Sequence, residues 1–213
     1  MIARESFNIV EKNEGDWFMS NDQLVNESLQ KLTEGNKRFV DSKSIHPNQT
    51  LARRNEVLKG QNPFAVIVGC SDSRIPPEII FDQGIGDLFI IRTAGNIVDD
   101  VALGSIEYAV DHLGTPLVVI LGHGKCGAVT AVVQGGEVHG HIGSIVKIIA
   151  PAVEKAKAQC GDLIVNATRT NIGLVADTVK ASKPIITKAL EQGKVKIVGA
   201  YYDIESGKVE FIV

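Results

Sequence analysis

The stretch FAVIVGC, residues 64–70, decides the fold of this chain. It is a continuous apolar and β-branched run, the kind found in parallel strands that are buried on both faces of a sheet. DLFIIRTAG at 87–95 and PLVVILG at 116–122 are two further runs of this type, and the helical pattern VALGSIEYAVDHLG at 101–114 separates them. Strands that alternate with helices predict an α/β fold with a mainly parallel central sheet.

The rest of the chain supplies the remaining strands and the flanking helices. Ser20 begins a capping box that predicts an amphipathic helix at 21–42. KVKIVGAYYD and KVEFIV predict a strand pair around the Ser206–Gly207 turn. We therefore predict about four parallel strands plus a C-terminal antiparallel strand, with an N-terminal helical arm. Further helices are predicted at about 51–59, from Cys126 onward, and at about 141–159, 163–182 and 184–192.

The length, composition and net charge limit the class of protein. The 213 residues are 44% hydrophobic and 22% charged and carry a net charge of -3, which describes an ordinary globular protein. The lysines and arginines are scattered, so we expect no nucleic-acid partner. No apolar run approaches the about 20 residues that a membrane helix needs, and no signal peptide is apparent, so we expect a cytoplasmic protein without membrane segments. Residues 21–213 are predicted to form a single domain, and residues 1–20 a flexible arm.

Soft metal ligands follow two of the predicted strands. Cys70 ends the first, and His123 and Cys126 follow the third, so they should meet at the sheet edge where ligands bind in open α/β folds. Cys126 should lie at a helix N-terminus, which favours the thiolate form that binds metal. Taken singly, Cys70 and His123 could each be ordinary buried residues. Jointly, the thiols and the imidazole form a set that Zn²⁺ prefers, and we predict a zinc site.

Two charged residues suggest that this site is catalytic. Asp72 follows Cys70 by two residues and Arg74 by four, and an ion pair between them would hold the carboxylate ionised and oriented. With three protein ligands, zinc keeps a position for water, whose pKa it lowers to about 7, and this gives a hydroxide for attack on a small electrophilic carbon. The alternative is a surface ion pair in a strand-to-helix turn.

Long blocks of the sequence resemble a known family. CSDSRIPPEIIFDQGIGDLFIIRTAGN from Cys70 to Asn96 and GHGKCGAV from Gly122 to Val129 are similar to the two signature blocks of β-class carbonic anhydrases. The likeness also includes LTEGNKRF at 32–39 and VGAYYDIESGKVEFI near the C-terminus, so it spans nearly everything after about residue 20. It implies a zinc lyase that hydrates carbon dioxide reversibly to bicarbonate and a proton through a zinc-bound hydroxide.

The resemblance also implies a role for each residue of the metal site. Cys70, His123 and Cys126 match the zinc ligands of the family. Asp72 matches an aspartate that becomes the fourth ligand in a closed, inactive form, and Arg74 matches the arginine that frees this aspartate from the metal. The pair would therefore gate the zinc.

On the substrate side the resemblance implies hydrogen-bond donors and an apolar pocket. Gln61 and the backbone amide of Gly127 match donors to substrate oxygen, whereas Phe89, Ala94 and Tyr108 fall where the family has its CO2 pocket. A branched residue is usual where Ala94 stands, so the size of the pocket is expected to differ.

The family further implies a homodimer or homotetramer, with the pocket at a dimer interface that the N-terminal helix helps to build. Some members have a regulatory bicarbonate site that requires a tryptophan where this chain has Ile67. Although Arg92 and Tyr202 match the other two members of that site, an aliphatic side chain offers no N–H donor, so we predict that the site is absent.

Two alternatives remain open at this stage. One is a hydrolase of carbonyl sulfide or carbon disulfide on the same scaffold. The other is a non-catalytic module stabilised by zinc, in which Asp72 closes the metal site permanently.

Overall fold

The strands of the computed structural model, which describes residues 20–212, form a single five-stranded sheet. They are β1 (Ala65–Cys70), β2 (Leu88–Thr93), β3 (Leu117–His123), β4 (Lys196–Tyr202) and β5 (Val209–Phe211). The order across the sheet is β2-β1-β3-β4-β5; the first four strands in chain order are parallel, and β5 runs antiparallel to β4. The predicted α/β fold with a mainly parallel sheet is confirmed.

The helices begin largely where the sequence predicts them. They are α1 (Asn21–Val40), α2 (Leu51–Glu56), α3 (Pro77–Ile80), α4 (Asp100–Asp111), α5 (Gly127–Gln134), α6 (Ile142–Ala156), α7 (Leu163–Lys180) and α8 (Ile185–Glu191). The Ser20 hydroxyl accepts from the Gln23 amide at 3.3 Å, and the Ser20 amide donates to the Gln23 side chain at 2.7 Å. This is the predicted capping box of α1. The differences lie at helix ends, where α1 and α7 end two residues early and α6 about three, and in α3, which the sequence does not predict.

The sheet is covered on both faces, which explains the unbroken apolar runs of β1 and β3. Every residue of these two strands is buried. One face packs against α1, α5 and α6, and the other against α4, α7 and α8. Since burying one Val, Ile or Leu side chain is worth about 1.5–3 kcal/mol, polar residues in these runs would be costly. The parallel strands therefore carry their functional groups only at their carboxyl ends.

The adjacency of β1 and β3 positions the site. Their register places Gly69 opposite Leu121, and the next residues along each strand lead directly to Cys70 and His123. The two strand ends thus meet at one edge of the sheet, next to the start of α5.

The predicted flexible arm at residues 1–20 lies, except for Ser20, outside the residues that the structure describes. The organisation of residues 21–213 as one domain stays a prediction. Within residues 20–212, none of the helices combines the length and the apolar character needed to cross a bilayer.

Candidate metal centre

Three buried side chains converge at this sheet edge. The thiols of Cys70 and Cys126 and a ring nitrogen of His123 all lie within 4.8 Å of one another. Their relative exposures are 5%, 1% and 0%. Cys70 and His123 are the last residues of β1 and β3, and Cys126 is the N-cap of α5. The structure therefore brings together the three residues that the sequence singled out as metal ligands.

The ring of His123 has one nitrogen available for a ligand bond. Nδ1 lies 2.9 Å from the Gly124 carbonyl oxygen, which can only accept, so Nδ1 carries the proton and Nε2 is left with its lone pair. Across the part of the chain that the structure describes, the buried Nε2 has no hydrogen-bond partner. A buried polar atom without a partner costs free energy, and a metal ion beside it would remove that cost. The histidine therefore fits a metal.

The two sulfurs also fit a divalent cation. Hydrogen bonding from Cys126 lowers the pKa of Cys70, burial opposes this, and the Gly95 amide lowers the pKa further. The shared hydrogen bond with Cys70, together with burial, raises the pKa of Cys126. One thiol ionises at the expense of the other because two adjacent thiolates repel each other. A bound Zn²⁺ allows both to ionise, and two thiolates with one imidazole form a set that zinc prefers.

Asp72 and Arg74 form a two-pronged ion pair beside the cluster. Arg74 Nε donates to Oδ1 of Asp72 at 2.9 Å, and Nη2 donates to Oδ2 at 2.7 Å. These bonds hold the pKa of the Asp72 carboxyl well below its usual range. Oδ2 of Asp72 lies 4.0 Å from Nε2 of His123. The carboxylate is therefore ionised, next to the three candidate metal ligands, and fully engaged by Arg74.

Further hydrogen bonds tie the loops of the site together. Arg74 Nη2 also donates to the Lys125 carbonyl at 3.3 Å, which links the loop after β1 to the loop before α5. Arg92 donates from Nε to the Cys70 carbonyl at 2.9 Å and from Nη2 to the Asp72 carbonyl at 2.6 Å. The sequence associated Arg92 only with a regulatory site and missed this bracing role, because no local pattern shows contacts between separate loops.

The residues expected on the substrate side are less enclosed. Gln61 lies exposed before β1, and Gly127, also exposed, is the first residue of α5. Ala94 is half-buried in a short 3₁₀ turn after β2. The ring centroids of Phe89 and Tyr108 are 6.4 Å apart, and Tyr108 is 46% exposed. Phe89 packs against the α4 side of the sheet.

Comparison with known proteins places this geometry in a family. The family model described as carbonic anhydrase matches residues 65–209. The chain is 39% identical over 181 residues to carbonic anhydrase 2 of Mycobacterium tuberculosis, covering 83% of this chain and 87% of that protein.

Solved structures agree with this match. The β-carbonic anhydrase CafA of Aspergillus fumigatus is 27% identical, with a TM-score of 0.67 over 88% of this chain and 89% of that one. The two tetrameric β-carbonic anhydrases from Sordaria macrospora share the fold at 24% identity, with a TM-score of 0.69 over 87% of this chain and 97% of that one. The cysteine–histidine–cysteine cluster is typical of the zinc site in this class. The chain therefore belongs to the β-class carbonic anhydrase family and is a zinc enzyme with carbonic anhydrase activity.

Proposed function

We propose that this chain hydrates carbon dioxide reversibly to bicarbonate and a proton, with zinc held by Cys70, His123 and Cys126. The observation that carries the proposal is the buried Nε2 of His123, which has no hydrogen-bond partner within residues 20–212 and lies within 4.8 Å of two thiols. Three protein ligands leave a fourth position for water, as in catalytic zinc sites. Zinc bound there would lower the pKa of that water to about 7 and so supply a nucleophile at neutral pH.

Asp72 would orient the attacking water rather than remove its proton. Its pKa is held well below the usual range by Arg74, so the carboxylate is too weak a base to accept a proton at neutral pH. It can still accept a hydrogen bond, which would fix the direction of the oxygen lone pair toward the substrate. The proton then leaves through other groups or through solvent.

Arg74 would keep Asp72 away from the fourth ligand position. Both carboxylate oxygens accept hydrogen bonds from the guanidinium, and bidentate pairs of this kind are among the stronger ionic contacts. This argues against the reading of a permanently closed, non-catalytic zinc module, in which Asp72 would have to leave Arg74. The pair would gate the metal.

The substrate would lie between an apolar wall and backbone donors. Carbon dioxide has no net charge, and the rings of Phe89 and Tyr108 with the methyl group of Ala94 suit it. Negative charge develops on oxygen as bicarbonate forms, and donors aimed at that oxygen stabilise it. The Gly127 amide, at the first residue of α5, is one donor proposed for this oxygen, and Gln61 is the second.

We further propose a homodimer or homotetramer, because residues 20–212 of a single chain leave large apolar side chains exposed. Val101 is 78% exposed, and Leu58, Leu51 and Ile79 are 79%, 64% and 57% exposed. A second copy covering part of this surface would enclose Phe89 and Tyr108. The tetrameric relatives from Sordaria macrospora make this assembly reasonable. Light scattering after size-exclusion chromatography measures it, and a monomer at assay concentration would contradict it.

A reducing location, the cytoplasm, is also proposed. Cys70, Cys126 and Cys160 are all free thiols in the structure, and a metal site built on two thiols requires them to stay reduced.

The test is stopped-flow hydration of carbon dioxide by the zinc-loaded protein, after removal of zinc with a chelator, and after its return. We expect the rate to follow zinc content, with slower turnover of carbonyl sulfide and carbon disulfide measured as sulfide release. Zinc-loaded protein that releases sulfide from those two substrates but leaves carbon dioxide untouched would contradict the proposal.

A further inference from the structure

A buried asparagine lies on the apolar face of α7. Asn171 is 1% exposed, and its helix neighbours Ile172 and Val175 belong to the hydrophobic core. Burying an amide side chain costs free energy unless its hydrogen bonds are replaced. The position therefore calls for a reason beyond packing.

The contacts of Asn171 lead to a zinc ligand. Its Nδ2 donates to the Gly95 carbonyl at 3.0 Å, and the Gly95 amide in turn donates to the sulfur of Cys70 at 3.2 Å. We propose that Asn171 is a positioning residue for the metal centre, which holds Gly95 so that its N–H points at the Cys70 thiolate. This inference rests on the proposed function, since it takes Cys70 to be a zinc ligand.

Gly95 needs such an external restraint. Its φ of 73° and ψ of 21° lie in the left-handed region, which glycine reaches without strain but also leaves easily. A side chain cannot provide the restraint, because a Cβ on Gly95 would lie 2.6 Å from Cδ1 of Ile149. The orientation of this residue is therefore determined by the groups that bind its carbonyl and its amide.

Among the residues that the structure describes, Gly95 is the only hydrogen-bond partner of the Asn171 side chain. Its Oδ1 is buried and finds no hydrogen-bond partner anywhere in residues 20–212. A leucine of similar shape would avoid both the desolvation of the amide and the unsatisfied oxygen. Core packing alone would thus favour an apolar residue, and the asparagine is explained by its contact with Gly95.

The same stretch of α7 also contacts β3, the strand that ends at His123. Ile172 packs so closely on Gly122 that a Cβ there would lie 2.6 Å from its Cδ1, and Gly122 directly precedes His123. Helix α7 therefore contacts the backbone next to two of the three metal ligands. A hydrogen bond to a ligand sulfur stabilises the thiolate and fixes its direction, and such supporting contacts tune metal affinity.

The experiment compares Asn171→Leu with Thr168→Val. Thr168 is the matched control, because it is also buried on α7 and its hydroxyl donates within the helix, to the Ile164 carbonyl at 2.8 Å. Zinc affinity is measured by competition with a chromophoric chelator, and the thiolate-to-metal charge-transfer band is recorded for cobalt-loaded protein. We expect Asn171→Leu to bind zinc roughly 10-fold more weakly and to shift the band, whereas Thr168→Val changes neither.

The inference is overturned if Asn171→Leu only lowers the melting temperature while the zinc affinity and the cobalt spectrum stay as in the wild type. It is equally overturned if Thr168→Val alters them as much. If Asn171→Leu does not fold, Asn171→Ser is used in its place. The same comparison of zinc affinity and cobalt spectrum with Thr168→Val then decides. Failure of the proposed function would show separately, as wild-type protein that binds zinc but does not hydrate carbon dioxide. In that case the zinc affinity and the cobalt spectrum of Asn171→Leu still decide the role of Asn171.

Discussion

The metal side and the substrate side of the site are built differently. Cys70, His123 and Cys126 are buried within one chain: the first two end strands whose register is fixed by the sheet, and Cys126 is the N-cap of α5. On the substrate side, Tyr108 is 46% exposed and Gln61 is exposed. Metal binding is therefore expected to be a property of the single chain, whereas a closed pocket for carbon dioxide requires a covering surface. Variants on the metal side should therefore lower the zinc content, whereas variants on the substrate side should lower turnover and leave the zinc content unchanged.

The largest effect is expected from Cys126→Ser. Serine is a good N-cap, so α5 should keep its start while the metal loses a thiolate. We expect zinc content well below one ion per chain and a loss of activity greater than the roughly 100-fold typical of changes outside the ligand set. Metal analysis and hydration rates check this. The matched control is Cys160→Ser, since Cys160 is an exposed free thiol, and a Cys126→Ser protein with full zinc and full activity would refute the ligand assignment.

Arg74→Ala tests the gate and should cost about 10- to 100-fold in activity at neutral pH while zinc stays bound. Without Arg74 the pKa of Asp72 rises toward its ordinary value of about 3.9, so the carboxylate is still ionised at neutral pH and is free to take the water position. Hydroxide competes better as pH rises, so activity should recover on the alkaline side of the rate profile.

The control for this variant is Arg169→Ala, because Arg169 also pairs with a carboxylate, that of Glu210 at 2.6 Å, and neither residue is assigned to the metal or substrate site. A rate that is reduced equally at every pH would mean that Arg74 does not act by holding Asp72.

Phe89→Ala tests the substrate side. Removing the ring should lower kcat/KM by about 10-fold, since part of an apolar pocket is lost, and should leave the zinc content at the wild-type value. Tyr108→Phe keeps the ring and is the control, with little change expected. If Phe89→Ala lost its zinc, the two sides of the site would not be separable and the comparison would be wrong.

The smallest effect on activity is expected from Asp82→Asn, which instead changes stability. Burial alone would raise the pKa of Asp82, but hydrogen bonds from Arg38 and from the amides of Ile45 and His46 lower it overall. A folded-state pKa below the unfolded value contributes stability above about pH 4, and this contribution is lost as pH falls through the folded-state pKa.

Denaturant unfolding at neutral and acidic pH measures the effect. Asp82→Asn should lower the unfolding free energy by about 1–3 kcal/mol at pH 7, and its difference from the wild type should shrink below about pH 4. If the difference in unfolding free energy between Asp82→Asn and the wild type grew toward acid pH, the pKa of Asp82 would not be lowered in the folded state. Zinc content should not change, because the Asp82 side chain bonds to Arg38, Ile45 and His46 and to none of the metal-site residues.

The sequence predicts the metal side well because local patterns determine it. Strands β1 and β3 are buried on both faces, so their apolar runs are unbroken, and each ends at a ligand. The N-cap position of Cys126 is also evident from the small-residue helix that follows it. These features depend on neighbours in the chain.

The features that the sequence did not predict depend on contacts between distant residues or on irregular backbone. Asn171 bonds to Gly95, which is 76 positions away, and no periodicity shows such a contact. Helix α3 is only four residues long and begins at Pro77, too short for a helical pattern. Helix α1 ends at Val40 because the chain turns at Ser42, whose φ is 55°, and a serine does not signal that conformation.

The most direct test of the account is the rate of carbon dioxide hydration per bound zinc, measured from neutral to alkaline pH. Because Arg74 already holds Asp72, we predict that the wild-type protein is active at neutral pH and that its rate is proportional to zinc content across the range. Zinc-replete protein that hydrates no carbon dioxide at any pH would contradict the account.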